Sequence, residues 1–250
     1  MEIQDISKDI VLAKKAALKA GELLKNKKKE INEILNSNPK DIKLKADIES
    51  EDLIKSIILS ESTYPILAEE SGKSSNDLGD VFWVIDPLDG TANYNRDIPV
   101  CCVSIGLVSE MKPILGVIYD FNNDHMYSGD KFSNISKMND ISINVSQKSD
   151  KENSILITGL PHNTDYSNNS LNNMIKDMQD WQKIRMIGSA AMAACYIASG
   201  KAEKYQETGI YLWDIIAGAA IVESAGGTAE ILNKRENFQV DIIFSNSKVK

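Results

Sequence analysis

Residues 81 to 91 read Val-Phe-Trp-Val-Ile-Asp-Pro-Leu-Asp-Gly-Thr: five apolar residues that end abruptly in two aspartates, three positions apart, around a proline. The apolar run has the length and the β-branched and aromatic content of a buried strand, which sets both acids at its mouth. Burying unpaired negative charge is costly, and the usual remedies are a cationic side chain or a metal ion. No Lys or Arg lies between Val81 and Asn95, so a metal is the better expectation. Pro87 is expected to stop the strand ladder, the turn to swing Asp89 back toward Asp86, and Gly90 to allow a backbone conformation closed to other residues. Thr91, beside a helix start at Ala92, can cap backbone amides or offer its hydroxyl to water, and amides at a helix start are a ready anion site. Carboxylates for metals beside an amide-lined pocket point to phosphate-ester hydrolysis.

Composition narrows the partners. The 250 residues carry a net charge of −8, which speaks against nucleic acid or an anionic membrane held by bulk charge and suits a hard divalent cation. The one dense basic run, Lys25 to Lys29, closes a helical pattern and reads as solvated surface. Cys101, Cys102 and Cys195 lack CxxC spacing and read as small core residues. Their odd number, with no secretory leader, predicts a cytoplasmic protein, and no apolar run approaches the roughly 18 residues of a membrane span. His125 and His162 have no ligand-spaced partners, which disfavours zinc and Ser-His-Asp chemistry.

Along the chain, apolar spacing predicts one long helix from Ile6 to about Leu35, broken near Gly21, and a second from about Glu49 to Ser60. Tyr64 to Ala68 reads as a strand ending at Glu69-Glu70, Ser71 to Asp80 as a loop, and Val100 to Val108 with Pro113 to Tyr119 as an antiparallel hairpin. A subdomain boundary is expected near 140. Residues 1–140 would form an α+β unit with most metal ligands, and 141–250 an α/β unit with the substrate-side residues and the last ligand. Strands follow at about Ile141 to Val145 and Ser154 to Thr158, then a loop from Pro161 to Asn169. Ser170 is expected to open a helix with Leu171, Met174, Ile175, Met178 and Trp181 packed along one face. Ser189 is a natural N-cap and Gly200 a natural C′ residue for the small-residue helix between them. A last helix is expected from about Leu212 to Ala225. Helices mixed with alternating strands make a layered α/β or α+β fold.

Asp86 to Thr91, with Trp213-Asp214 some 125 residues later, an apolar helix and Gly-Gly behind it, resembles the inositol monophosphatase family of metal-dependent sugar-phosphate phosphatases. The resemblance takes in Asp47, Leu67 to Ser71, Val103 to Gly106, Arg185 to Ala191 and Glu207 to Asp214. It implies an α+β, layered αβαβα sugar-phosphatase fold with two mixed or antiparallel sheets between helices. It also implies Mg2+, two or three ions per site. Glu69, Asp86 and the Leu88 carbonyl would bind one ion, and Asp86, Asp89 and Asp214 a second, with Asp86 bridging and Glu69 helping to hold a weaker third. Asp47 and Thr91 would orient and deprotonate the attacking water, and the Gly90 and Thr91 amides would hold the phosphate. Gly188, Ser189, Ala190 and Glu207, with Arg185 in the same stretch, would face the alcohol half of the substrate.

The activity implied is hydrolysis of a small phosphorylated polyol or sugar, inhibited by Li+, by a homodimer. Bisphosphate nucleotidases, histidinol-phosphate phosphatases and fructose-1,6-bisphosphatases share the pattern, and a regulatory scaffold on the same fold is the non-enzymatic alternative. Two positions depart from the family: Leu44 stands where threonine is common, and Ser128 to Asn134 lacks the second glycine and the alanine of the family's hairpin. Pro161 to Asn169 is the expected specificity loop.

Overall fold

The computed structural model describes residues 3–38, 41–160 and 167–249. The chain opens with helix α1 (Ile3–Asn26), a short α2 (Lys28–Ile31), the hairpin β1 (Ile34–Asn38) and β2 (Asp41–Leu44), and α3 (Lys45–Glu61). An eight-stranded mixed sheet follows, made of β3 (Ile66–Ala68), β4 (Gly72–Lys73), β5 (Val81–Asp89), β6 (Cys102–Ser109), β7 (Lys112–Asp120), β8 (His125–Asp130), β9 (Ile135–Met138) and β10 (Ile141–Ile143), with the short helix α4 (Thr91–Asn95) between β5 and β6. Its order is β10-β9-β8-β7-β6-β5-β3-β4, and only β3 and β5 run parallel. A second, five-stranded mixed sheet has the order β12-β11-β13-β15-β14, from β11 (Ile155–Thr158), β12 (Lys183–Arg185), β13 (Lys204–Tyr211), β14 (Thr228–Leu232) and β15 (Gln239–Ser245). Helices α5 (Asn168–Met178), α6 (Ala190–Ala198) and α7 (Leu212–Ser224) complete the chain.

The layers follow from which faces are apolar. β5 is buried on both faces, so its residues alternate between two cores: Trp83 and Ile85 face α1 and α3, while Phe82 and Val84 face the layer of α6 and α7. α6 and α7 are apolar nearly all round and lie between the two sheets. α5 closes the far side, where Met178 packs with Leu156 and Trp181. The order helices, sheet, helices, sheet, helix is the layered αβαβα arrangement expected from the resemblance. The chain passes from one sheet to the other between Ile143 and Ile155. No helix among the described residues is long and apolar enough to cross a membrane.

Several local expectations change. The first helix does not break at Gly21; it ends at Asn26, and Leu35 lies on β1. Gly21 serves close packing instead, since a Cβ there would meet the Tyr119 ring at 2.5 Å. Tyr119 is held in place, nearly buried and donating its hydroxyl to Asp124 at 2.8 Å. A Gly21→Ala change therefore sets a helix-propensity gain of about 1 kcal/mol against an overpacking cost of about 1–3 kcal/mol. The expected net is a loss, a melting temperature lower by about 2–4 °C; a rise on thermal melting would contradict the packing account.

The second helix begins at Lys45, which puts Asp47 in its first turn, and the loop after β3 contains the two-residue strand β4. The hairpin of β6 and β7 forms as expected, turning through Glu110 and Met111 with φ of 52° and 60°. In α5 the apolar stripe is only partly covered: Ile175 is exposed, and Trp181 lies beyond the helix end. Of the loop expected to set specificity, residues 161–166 lie outside the described residues. All three cysteines are buried and free.

Candidate active site

The two aspartates of β5 reach a common face through an irregularity that Pro87 creates. Pro87 cannot donate to the ladder, yet the strand does not stop there. It resumes after a bulge, with Asp86 opposite Ser104 and Asp89 opposite Cys102. Because Ser104 and Cys102 are two apart on β6, the residues facing them share one side of the sheet. Without the extra residue, Asp86 and Asp89 would point to opposite faces; with it, both point toward α6 and α7. Ser50 on α3 fixes the bulge by donating its hydroxyl to the Pro87 carbonyl at 2.9 Å.

Glu69 joins them by strand pairing. β3 runs parallel to β5 with Ala68 opposite Ile85, and the Glu69 amide extends the ladder to the Ile85 carbonyl at 3.1 Å, setting Glu69 beside Asp86. Asp214 comes from the first turn of α7, where its Oδ2 accepts the Tyr211 amide at 2.9 Å. Asp89 lies at the N-terminus of α6, its Oδ2 accepting the Ser189 hydroxyl and the Ala191 amide, each at 2.6 Å. Ser189 caps α6 and Gly200 takes φ +70° behind it, as expected. Gly90 has φ +90° and a Cβ there would lie 2.8 Å from the Val100 carbonyl, so both conformation and space call for glycine. Gly90 is thereby the cap of α4, and Thr91, not Ala92, is its first residue.

Asp47 stands behind this group. Its Oδ2 accepts the Leu44 amide at 2.6 Å, and its Oδ1 accepts the Thr91 hydroxyl at 3.0 Å. The hydroxyl of Thr91 also lies 3.0 Å from the Leu88 carbonyl. Leu44 serves Asp47 through its backbone amide, while its side chain is buried in the core beside α1.

Charge is concentrated without compensation. Among the described residues, no Lys or Arg pairs with Glu69, Asp86 or Asp89. Burial first, then repulsion from Asp214, Glu70 and Asp47 on Glu69 and from Glu69, Asp89 and Asp214 on Asp86, holds both carboxyls well above the usual carboxylate range. Asp89 is pushed up by burial to about 6, less far because Ser189 and the amides of α6 stabilise its charge. Asp47 is pushed up to about 7, again chiefly by burial, against the opposing bonds from Leu44 and Thr91.

Glu69, Asp89, Gly188, Ser189, Ala190, Glu207 and Asp214 all line one cavity of about 570 Å³. Glu207 accepts the Tyr205 hydroxyl at 2.6 Å, and burial raises its carboxyl above the ordinary range. Arg185 is not brought to this cavity: it is exposed on the edge strand β12, its guanidinium turned to the Ile184 carbonyl. Residues that sequence reasoning missed complete the wall. Asn93 donates to the carbonyls of Val100, Ile187 and Gly188 and ties α4 to the segment before α6. Tyr211 and Trp213 stack with ring centroids 4.6 Å apart, and Leu160, Met186 and Ile187 add apolar surface. Asn93 carries no periodic or motif signal, whereas Trp213 belongs to the Trp-Asp pair that marks the resemblance.

A donor set of carboxylates and one backbone carbonyl, without His or Cys, suits Mg2+, which prefers oxygen ligands. No three or more His, Cys, Asp or Glu side chains among the described residues stand ready-made around one point; Asp89 and Asp214 are turned onto hydrogen-bond donors. The uncompensated charge of Glu69, Asp86 and Asp89 nevertheless fits a cation.

Comparison with known proteins agrees with this geometry. The profile of the inositol monophosphatase family matches residues 5–247. The protein named Nus factor SuhB of Pasteurella multocida is 34% identical over 226 residues, covering 86% of this chain and 82% of that protein. Inositol monophosphatase 1 of Rattus norvegicus is 32% identical over 231 residues, covering 87% and 80%. Among solved structures, inositol monophosphatase from Anabaena superposes with a TM-score of 0.82 at 32% identity, covering 97% of this chain and 92% of that one. By a profile that spans nearly its whole length and by relatives that share about a third of its residues, the chain belongs to the inositol monophosphatase family.

Proposed function

We propose that this member of a phosphatase family is a Mg2+-dependent phosphomonoesterase for a small phosphorylated polyol or sugar. The observation that carries the reading is the buried group of Glu69, Asp86 and Asp89, gathered by a bulge and a parallel ladder at a cavity that Glu69 and Asp89 line with Asp86 buried between them, and with no Lys or Arg among the described residues paired to it. Glu69, Asp86 and the Leu88 carbonyl would hold one ion, and Asp86, Asp89 and Asp214 a second, with Glu69 able to share a third. Mg2+ bound there supplies charge neutralisation for the phosphoryl oxygens and lowers the pKa of water.

The chain's own residues supply the rest. Asp47, with a carboxyl near pH 7, is suited to accept a proton through the Thr91 hydroxyl that it already holds. Water attacks phosphorus and gives up a proton toward Asp47, the phosphorus–oxygen bond to the alcohol breaks, and the leaving alkoxide takes a proton from solvent water. The Gly90 and Thr91 amides would orient the phosphate. Glu207 and the segment Gly188 to Ala190, which line the same cavity, would meet the alcohol half of the substrate. Positioning and charge neutralisation are the main demands of phosphoryl transfer.

The test is phosphate release from about a hundred phosphorylated metabolites with Mg2+ present. Inositol 1-phosphate or a related sugar phosphate should lead. A clear preference for an adenosine bisphosphate would move the substrate to the nucleotidase class. No release from any ester, together with stoichiometric recovery of a protein partner, would favour a regulatory role, to which the name of the Pasteurella relative also points.

A further inference from the structure

α3 buries the wrong kind of face for an ordinary surface helix. Its inward residues in the second half are Ile54 and Ile58, but in the first half, beside Ala46, they are Asp47, Ser50 and Glu51. These three stand at i, i+3 and i+4, so they form one polar patch over the first turns. A buried polar patch is costly unless each member is bonded, and each of these is bonded to a different segment of the site.

Asp47 holds Thr91, and Ser50 holds the Pro87 carbonyl at the bulge. Glu51, only 2% exposed, accepts the Glu70 amide on Oε2 at 2.8 Å and the Ser71 amide on Oε1 at 3.2 Å. Glu69 is therefore pinned on both sides: its own amide to Ile85, and the two amides after it to Glu51. Lys55, one turn further along α3, approaches the same carboxylate at 3.4 Å and the Ser71 hydroxyl at 3.0 Å. Neither Ser50 nor Glu51 lines the cavity, so both act through others.

We infer that α3 is the jig of the acidic site, with Glu51 and Ser50 as positioning residues: Glu51 sets the turn that presents Glu69, and Ser50 sets the bulge that presents Asp86 and the Leu88 carbonyl. The inference rests on the functional reading above, since what is positioned is the carboxylate set assigned to Mg2+. Glu51→Gln keeps the shape of the side chain but leaves an amide group facing a backbone N–H, so one of the two bonds is lost. Ser50→Ala frees the Pro87 carbonyl.

The experiment is Mg2+ titration of the full chain, by calorimetry without substrate and by phosphate release, for wild type, Glu51→Gln, Ser50→Ala and the packing control Ile54→Val. Supports of metal ligands are worth about 10–100-fold in metal affinity. Glu51→Gln should therefore weaken Mg2+ binding by about tenfold or more, and Ser50→Ala by a smaller factor, while kcat recovers toward wild type at saturating Mg2+. Ile54→Val should lower the melting temperature and leave the Mg2+ titration unmoved. Wild-type binding with unshifted Glu51→Gln and Ser50→Ala titrations would overturn the inference and leave the phosphatase reading standing. A shift in Ile54→Val equal to theirs would also overturn it, because the effect would then follow stability. Wild type that takes up no Mg2+ would overturn both.

Discussion

Asp86→Asn is expected to lower Mg2+-dependent phosphate release by about a thousandfold or more while making the metal-free protein no less stable. The two halves have one cause. Asp86 is 1% exposed and faces Glu69, with Asp89 and Asp214 also acting on it, and no Lys or Arg pairs with it among the described residues. Without metal, its charge is a liability to the fold, and an amide of the same shape removes it. With metal, the same charge is the shared element of both proposed ion sites. Losing several kcal/mol of charge stabilisation there corresponds to about three orders of magnitude in rate. Asn can still accept the Leu88 amide that now bonds to Asp86 Oδ1 at 2.9 Å, so the bulge should survive. A urea melt in EDTA and a phosphate-release assay in Mg2+ read the two halves separately. Undiminished turnover would remove Asp86 from the chemistry; marked destabilisation in EDTA would show that its charge is compensated after all.

The second large effect is on stability against pH. Asp47 has a folded-state pKa of about 7 against an ordinary 3.8, and Glu69, Asp86 and Asp89 are raised as well. A raised carboxyl pKa means that the folded protein holds protons that the unfolded chain has released. Between about pH 4 and 7, stability therefore falls as pH rises; the contribution is fully present below the unfolded value and lost above the folded one. For Asp47 alone a shift of this size is worth about 4 kcal/mol, on the order of 10 °C in melting temperature for a chain of this length. Metal-free protein should melt lower at pH 8 than at pH 5.5. Mg2+ should restore the part of the loss carried by Glu69, Asp86 and Asp89 at pH 8 and little of it at pH 5.5, because cation and protons compete for the oxygens of those three. Melting temperatures in EDTA that rise steadily from pH 5.5 to 8 would contradict the burial of these charges.

The strand Val81 to Ile85 and its two acids were legible in the sequence because hydrophobic continuity and an abrupt change to charge are local signals. So were the caps of α6, since Ser189 and Gly200 act within a few residues of themselves. What Pro87 does was not legible. Whether a proline ends a strand or bulges it depends on the partner strand, here Cys102 to Ser104, and on the Ser50 hydroxyl, both remote in sequence. Gly21 was misread for the same reason: its role is set by Tyr119 across the core. Arg185 shows the limit of a motif's neighbourhood, since position beside a motif does not decide which way an edge strand turns its side chains, and here Arg185 is turned away from the cavity. Glu51 and Asn93 left no trace, because a buried residue that bonds only to backbone atoms of distant segments produces neither periodicity nor a motif.

The central claim is that these buried acids form a cation site serving phosphate-ester hydrolysis. Its most direct test is a single cycle of metal removal and return on the wild-type protein, with phosphate release from inositol 1-phosphate and from the best ester of the screen followed throughout. The account expects release to stop in EDTA and to return in full on adding excess Mg2+, with the protein folded at every stage. Release that continues unchanged in EDTA, or that never occurs in saturating Mg2+, would contradict it.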